Sequence, residues 1–360
     1  MLLLYAGIVI GAIVGGFGIY LLIVALVPGF SVPQRRLERA GHANRASRPA
    51  LSGPRHDVSF EVKGTPLSAW LYLPEAQVRP FPCVVMAHGL GGTKDAGLEA
   101  YAARFQAAGF AVLAFDYRNL GKSGGEPRQL VWIPSQLEDT SAAVEYARSL
   151  REVDPERIAL WGTSLSAGHA IVTASGDHRI ACVCAQCPLL HGGEAGLKLL
   201  KREGIAPLFR MIPHGQRDLV RSWFGLEPHR IPLFGRQGST ALMADEDAWN
   251  TFGELVPDGF VNEVCARIII RVDKYWPVRH AAKVRCPVLL QVTEDEASFQ
   301  RKALEKTKER LGPLAEVIRY PIGHFDIYLG ESFERSVSDE LRFLRTHLFD
   351  VAQDREGPQG

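Results

Sequence analysis

The sequence predicts an α/β protein, a mostly parallel sheet with helices on both faces, preceded by one membrane-spanning helix. Three observations carry this reading. From Asp57 onward, short buried-type apolar runs alternate in regular order with segments of helical periodicity. The stretch Gly162-Thr-Ser-Leu-Ser166 lies where one such run passes into a helix. Leu2 to Val27 contains no charged residue.

The first element is that uncharged run. At a helical rise of about 1.5 Å per residue it more than spans a bilayer core of roughly 30 Å. A cleaved signal peptide is the competing reading, but no basic residue precedes the run, the run is too long, and Pro28 to Pro33 offers no small-x-small cleavage site. Residues 1–28 are therefore expected to form a transmembrane helix. Arg35, Arg36, Arg39, Arg45 and Arg48 follow it and no Lys or Arg precedes it, which places the rest of the chain on the cytoplasmic side of a single-pass protein. Gly7, Gly11 and Gly15 repeat at helical spacing and offer a pairing face for a homodimer, although glycine is common in membrane helices. Residues 29–55 are rich in Arg, Pro, Ala and Gly and lack apolar periodicity, so they read as a basic tether.

A chain of 360 residues with 46% hydrophobic and 22% charged residues is long enough for one large domain or two modest ones. Its formal net charge of +1 gives no electrostatic reason to expect nucleic acid as a partner. The domain is expected over 56–350, with 351–360 as a polar tail. Asp57–Val62 and Leu67–Leu73 read as an antiparallel pair turned at Gly64-Thr-Pro66. Cys83–Ala87 is a buried strand running into His88-Gly-Leu-Gly-Gly92, and Leu98–Ala108 is a helix stopped by Gly109. Phe110–Phe115 is the next strand, followed by the loop Asp116 to Gly125, and Pro134–Leu150 is a helix. Ile158–Trp161 is the strand before the serine turn, Leu165–Ala174 the helix after it, and Ile180–Gln186 a further strand.

The order then breaks. Residues 191–284 hold helical spacing, loops, and Trp223, Phe224, Trp249, Phe252 and Trp276. They are expected to form a cap over the carboxyl edge of the sheet, its aromatics available to line an apolar pocket or to pack their own subdomain. Strand Pro287–Val292, a helix over Ser298–Leu311 and strand Glu316–Tyr320 resume the pattern.

Two other motifs invite attention. Gly121-Lys122-Ser123 looks like part of a phosphate-binding loop, but Asp116 stands where that loop needs its first glycine. Cys184-Ala-Gln-Cys187 has the spacing of half a metal or redox site, but no second pair follows at zinc spacing. Those cysteines, with Cys83, Cys182 and Cys286, are expected to pack in the core.

The chemistry centres on Ser164. A serine on a sharp strand-to-helix turn has its Oγ clear of the backbone, with the N–H of Leu165 pointing into the same space. Ser166 replaces the second glycine of G-x-S-x-G and is small enough to be tolerated. The strand ending at Val292 runs into Thr293-Glu-Asp-Glu296, and the one ending at Tyr320 into Pro321-Ile-Gly-His324. Nucleophile, acid and histidine thus follow in that chain order, each just beyond a strand.

Together, His88-Gly-Leu-Gly-Gly92, Phe115-Asp-Tyr-Arg118 with Gly121-Lys-Ser-Gly124, Arg157 to Ser164, and Gly323-His-Phe-Asp-Ile-Tyr328 resemble the α/β-hydrolase superfamily, in its dienelactone-hydrolase and Xaa-Pro-dipeptidyl-peptidase-like esterase branch. The resemblance covers about Val58 to Leu348 and implies an eight-stranded α/β-hydrolase fold with a helical cap insertion. It also implies Ser164 as nucleophile, His324 as base, and the N–H groups of Leu90 and Leu165 as the oxyanion hole. Aligned without gaps, the acid falls on Glu296, with Asp295 one residue earlier as the alternative; Asp273 and Asp326 lie outside the expected place. The implied activity is hydrolysis of an ester, thioester or lactone of a small acyl substrate, apolar in character, without metal or organic cofactor. An amide or carbon–carbon bond, transfer to an alcohol, and a catalytically silent binding protein remain as alternatives.

Overall fold

The computed structural model describes residues 2–26, 51, 53–75, 79–244, 246–294 and 300–349. Most of the expected tether, the tail, and both acid candidates, Asp295 and Glu296, lie outside the described residues.

Strands β1 (Arg55–Val62), β2 (Thr65–Tyr72), β3 (Phe81–Ala87), β4 (Ala111–Phe115), β5 (Val153–Thr163), β6 (Cys182–Gln186), β7 (Val288–Thr293) and β8 (Ala315–Tyr320) form one sheet. Its order is β1-β2-β4-β3-β5-β6-β7-β8. β1, β2 and β4 pair antiparallel, and every pairing from β4 through to β8 is parallel. The parallel strands are apolar on both faces because helices cover both. Buried Val84, Met86, Ala159 and Trp161 belong to the core with helices α2 (Leu98–Ala107) and α9 (Gly330–Leu348), while Val85, Leu113, Ile158 and Leu160 face the core with α3 (Ile133–Ser149) and α4 (Leu165–Ala174).

β5 begins five residues before the expected Ile158. Phe81 pairs with Val153 and Cys83 with Ile158, so the register shifts in between. Asp154-Pro155-Glu156-Arg157 occupies that irregularity, and its lack of apolar residues hides the strand from a periodicity reading.

Between β6 and β7 lie α5 (Gly192–Glu203), α6 (Ala206–Trp223), α7 (Glu246–Leu255), short strand pairs and single 3-10 turns. The segment leaves and rejoins the sheet at neighbouring strands. Gly192 N–H donates to the Tyr275 carbonyl at 2.8 Å, and Val278 N–H to that of Leu190 at 3.1 Å. Of the aromatics expected here, Trp249 packs in the core, whereas Trp223 and Phe224 are exposed on the outer surface. Trp276 stacks on His191 at 4.5 Å, with the Arg279 guanidinium 3.7 Å from its ring centroid. The side chain of Phe252 lies outside the described residues.

Helix α1 (Leu2–Leu26) precedes the domain. Among the described residues only Tyr5–Val24 is long and apolar enough to cross a membrane, a test that an N-terminal signal sequence also meets. The Tyr20 hydroxyl donates to Gln216 Oε1 at 2.8 Å, and Arg217 donates to the Val24 carbonyl at 2.8 Å, so the end of α1 rests on α6.

α8 (Arg301–Leu311) links β7 to β8.

Candidate active site

Ser164 sits between β5 and α4 with φ 54° and ψ −116°, a backbone conformation that costs on the order of 1–3 kcal/mol for a non-glycine residue. Its surroundings hold it there. Its N–H donates to the Gln186 carbonyl at 2.9 Å, and its carbonyl accepts from Leu189 at 2.9 Å. The turn is so tight that a Cβ on Gly162 would lie 2.2 Å from the Ser166 carbonyl oxygen. Gly89, in the loop after β3, approaches from the other side, where a Cβ would fall 2.9 Å from that of Ser164. The loop that carries Leu90 is thus pressed against the serine, and Leu165 opens α4 beside it.

Ser166 is more than a small residue. Its buried hydroxyl donates to the His88 carbonyl and lies 2.7 Å from the Tyr117 hydroxyl. Burial raises the Tyr117 pKa, so the phenol stays protonated and donates to Ser166. One side chain of α4 therefore ties the serine turn to the start of the His88–Gly92 loop.

A second polar layer lies behind the turn. Fully buried His169, on α4, meets the Tyr275 hydroxyl through Nδ1 at 2.6 Å and Gln136 Oε1 through Nε2 at 3.1 Å. Burial lowers its pKa to about 3, so it is neutral, donating from Nε2 to the amide oxygen and accepting the phenol proton at Nδ1. His88 is neutral for the same reason, its pKa lowered to about 4 by burial, and Nε2 donates to the Ala96 carbonyl at 2.7 Å.

His324 is half-buried in the loop after β8, its ring edge-on to Phe325 at 4.8 Å. Phe325 in turn meets Phe234 of the inserted segment at 5.8 Å. Gln186 and Cys187 connect this loop to the serine. Gln186 accepts from Ser164, and the Cys187 thiol approaches the His324 carbonyl at 3.8 Å. A further bridge joins Thr163 Oγ1 to the Tyr328 hydroxyl at 2.5 Å. Asp326 caps the histidine loop, accepting from Gly323 N–H at 2.9 Å; the Asp273 carbonyl accepts from Trp276 Nε1 at 2.5 Å.

Asp295 and Glu296 have no described position, but both ends of their segment do. Glu294 N–H donates to the Ile322 carbonyl at 3.2 Å, two residues before His324. Gln300 Oε1 accepts from Leu190 at 2.7 Å and His191 at 3.0 Å, and its amide donates to Pro188 at 3.1 Å. Glu294 thus lies beside the histidine loop, and Gln300 beside the chain that follows β6.

The Gly121-Lys122-Ser123 loop wraps a carboxylate. Asp116 accepts from Lys94 Nζ at 2.5 Å, Lys94 N–H at 2.7 Å and Lys122 N–H at 2.9 Å, the ion pair being buried. Sequence reasoning missed this pair, although a charged residue directly after a wholly apolar strand, as Asp116 is, signals a partner. The six cysteines are buried thiols, and among the described residues no group of three His, Cys, Asp or Glu side chains could hold a metal ion.

A serine in a strained turn at the carboxyl end of the central strand of such a sheet defines an enzyme of the α/β-hydrolase class. Residues 63–195 match the family of X-Pro dipeptidyl-peptidases (S15 family). The chain is 40% identical over 296 residues to the quorum-quenching protein AidA of Acinetobacter baumannii, covering 80% of this chain and 94% of that one. It is 28% identical over 311 residues to the thiohydrolase aneE of Aspergillus aculeatus, covering 81% and 93%. The α/β hydrolase GrgF from Penicillium sp. sh18 superposes with a TM-score of 0.68 at 23% identity, over 82% of this chain and 99% of that one. The chain therefore belongs to the α/β-hydrolase superfamily, with the relatives of AidA, and is a hydrolase.

Proposed function

We propose that the protein is a membrane-anchored serine hydrolase that cleaves a carboxylic ester or thioester through an acyl-serine intermediate. The observation that carries this is the strained Ser164 turn with the Gly89 backbone pressed against it. In this reading His324 takes the proton from Ser164 as Oγ attacks the acyl carbon. The carboxylate at Glu296 or Asp295 holds the imidazole in the right tautomer. The N–H groups of Leu90 and Leu165 stabilise the tetrahedral oxyanion, a contribution whose loss typically costs on the order of a hundredfold in rate. The alcohol or thiol leaves with the proton from His324, and water activated by the same imidazole releases the acid. Lactones enter by the same route, the leaving alcohol staying attached to the acyl chain.

The thiohydrolase relative supports the thioester half of this reading. The match to a dipeptidyl-peptidase family favours a second one, in which the same groups cleave an amide. The apolar α1 supports attachment to a membrane, and the segment between β6 and β7 serves as the cap. The AidA name specifies a process and leaves the scissile bond open.

Labelling of the detergent-solubilised full chain with a fluorophosphonate probe tests the proposal. Wild type is expected to label, and Ser164→Ala and His324→Ala to label not at all. A folded wild type that does not label would mean a silent fold, and labelling that survives Ser164→Ala would place the nucleophile elsewhere. A panel of matched thioester, ester, lactone and amide substrates then separates the two bond classes.

A further inference from the structure

Helix α6 has two faces. Met211, His214, Gly215 and Asp218 point inward: Met211, His214 and Asp218 are buried, and a Cβ on Gly215 would lie 3.2 Å from the Ala266 carbonyl. Asp218 pairs there with Arg267 at 2.6 Å. The opposite face carries, at helical spacing, Ile205 just before the helix, then Phe209, Ile212, Gln216 and Trp223. Ile205 is 63% exposed, Phe209 75%, and Trp223 62%, with Phe224 beyond it at 63%. Gln216, the polar member of this stripe, receives Tyr20 of α1. The end of α1 thus crosses the middle of α6, and among the described residues the apolar groups at both ends of α6 stay exposed. Arg217 meanwhile caps the last turn of α1 through the Val24 carbonyl, a favourable place for a cation.

Charge identifies what covers these ends. From Gly192 to Phe224 the sequence holds Lys198, Lys201, Arg202, Arg210, Arg217 and Arg221 against Glu194, Glu203 and Asp218, a net excess of three positive charges. Apolar side chains beside an excess of cations, at the foot of a helix long enough to span a bilayer, match an anionic lipid surface. They do not match a second copy of this chain, which would bring the same cations face to face.

We propose that α6 lies in the plane of the membrane interface, with Ile205, Phe209, Trp223 and Phe224 inserted among the lipid chains, so that the inserted segment is a second, peripheral membrane contact. This rests on α1 being seated in the bilayer. It differs from that reading, because a tether could equally hold the domain away from the surface.

Because all six native cysteines are buried, single exposed cysteines can be labelled selectively with an environment-sensitive nitrobenzoxadiazole dye. Phe209→Cys, Trp223→Cys and, as a control at an exposed position of α9, Thr346→Cys are placed in the full chain. The proteins are reconstituted into vesicles of phosphatidylcholine and phosphatidylglycerol at roughly two to one. Flotation reports α1, and the dye reports α6. The expected result is flotation of all three, with emission at 209 and 223 shifted to the blue and quenched by brominated acyl chains several-fold more than at 346. Flotation with dye at 209 and 223 as water-exposed as at 346 overturns the inference while leaving the anchor standing. Failure to float overturns both. A blue shift that vanishes on diluting protein against lipid, without quenching by brominated chains, assigns the patch to a second copy and also overturns it.

Discussion

The hydroxyl of Thr163, the residue before the candidate nucleophile, lies 2.5 Å from the hydroxyl of Tyr328, four residues after the candidate base. Both groups are buried, and burial raises the Tyr328 pKa so that its phenol keeps its proton. The bridge sets the separation of two loops 165 residues apart in the sequence. Tyr328→Phe is expected to cost about 1 kcal/mol of stability and to slow fluorophosphonate labelling several-fold. Unchanged labelling kinetics at full occupancy of the folded state would show that the loops hold their spacing without it.

Ser166 offers a sharper case. Ser166→Ala leaves the His88 carbonyl and the Tyr117 hydroxyl without their shared partner, at an expected cost of about 1–3 kcal/mol. If the hydroxyl positions the Leu90 loop, labelling should slow more in Ser166→Ala than in Tyr117→Phe, since only the former releases the His88 carbonyl. Equal rates in both variants would reduce Ser166 to a packing residue.

Gly89→Ala tests the close approach directly. The added methyl would meet Ser164 Cβ at 2.9 Å, so the loop must retreat. Near-complete loss of labelling is expected with the melting transition still cooperative. Labelling at the wild-type rate would mean the loop has room that the geometry denies.

Acid should weaken the contribution of two buried histidines to the stability of the domain. His169 and His88 have folded pKa values lowered to about 3 and about 4, below an unfolded value of about 6.5. Between those limits each of these histidines binds more protons in the unfolded chain, so its contribution to stability falls as pH falls. From pH 7 to pH 5 each contributes a loss of about 2 kcal/mol. Urea unfolding at both pH values should show His169→Gln, which cannot take up that proton, losing less than wild type over the same interval.

Base should act through Glu340. This carboxyl is fully buried, accepts from Trp161 Nε1 at 2.9 Å, and is held protonated by burial, its pKa well above the usual carboxylate range. The folded state therefore retains a proton that the unfolded chain releases, and this group's contribution to stability declines as pH rises above about 4.5 by up to about 1.4 kcal/mol per unit until the raised pKa is reached. Glu340→Gln removes this penalty and should be more stable than wild type at pH 8, by an amount that shrinks toward pH 5. A variant less stable at every pH would argue for a charged carboxylate with a partner.

The centre of the sheet was legible because its parallel strands are largely apolar runs. Val84, Val112 and Leu289 are buried and need no partner beyond their neighbours, so periodicity alone finds them. The serine turn was legible because few residues fit there. What escaped was the polar scaffolding. His169 reads as one polar residue in an apolar helix, and Gln136, Tyr275 and Gln300 come from distant segments whose meeting depends on tertiary packing. The irregular part of β5 escaped because Asp154 to Arg157 break the apolar pattern while the backbone continues. The exposed positions of Trp223 and Phe224 escaped because an aromatic residue looks the same in sequence whether it fills a core or faces a lipid surface.

The inserted segment starts and ends at one place, where Gly192 is bonded to Tyr275 and Leu190 to Val278. A segment whose two ends already touch can be exchanged for another of different length with little added cost of closing the loop. The sheet and its serine turn can then remain fixed while the segment is swapped. Grafting the stretch between Gly192 and Tyr275 from one relative onto another should carry its preferences with it, which makes this junction a natural seam for evolution and a practical one for chimaeras.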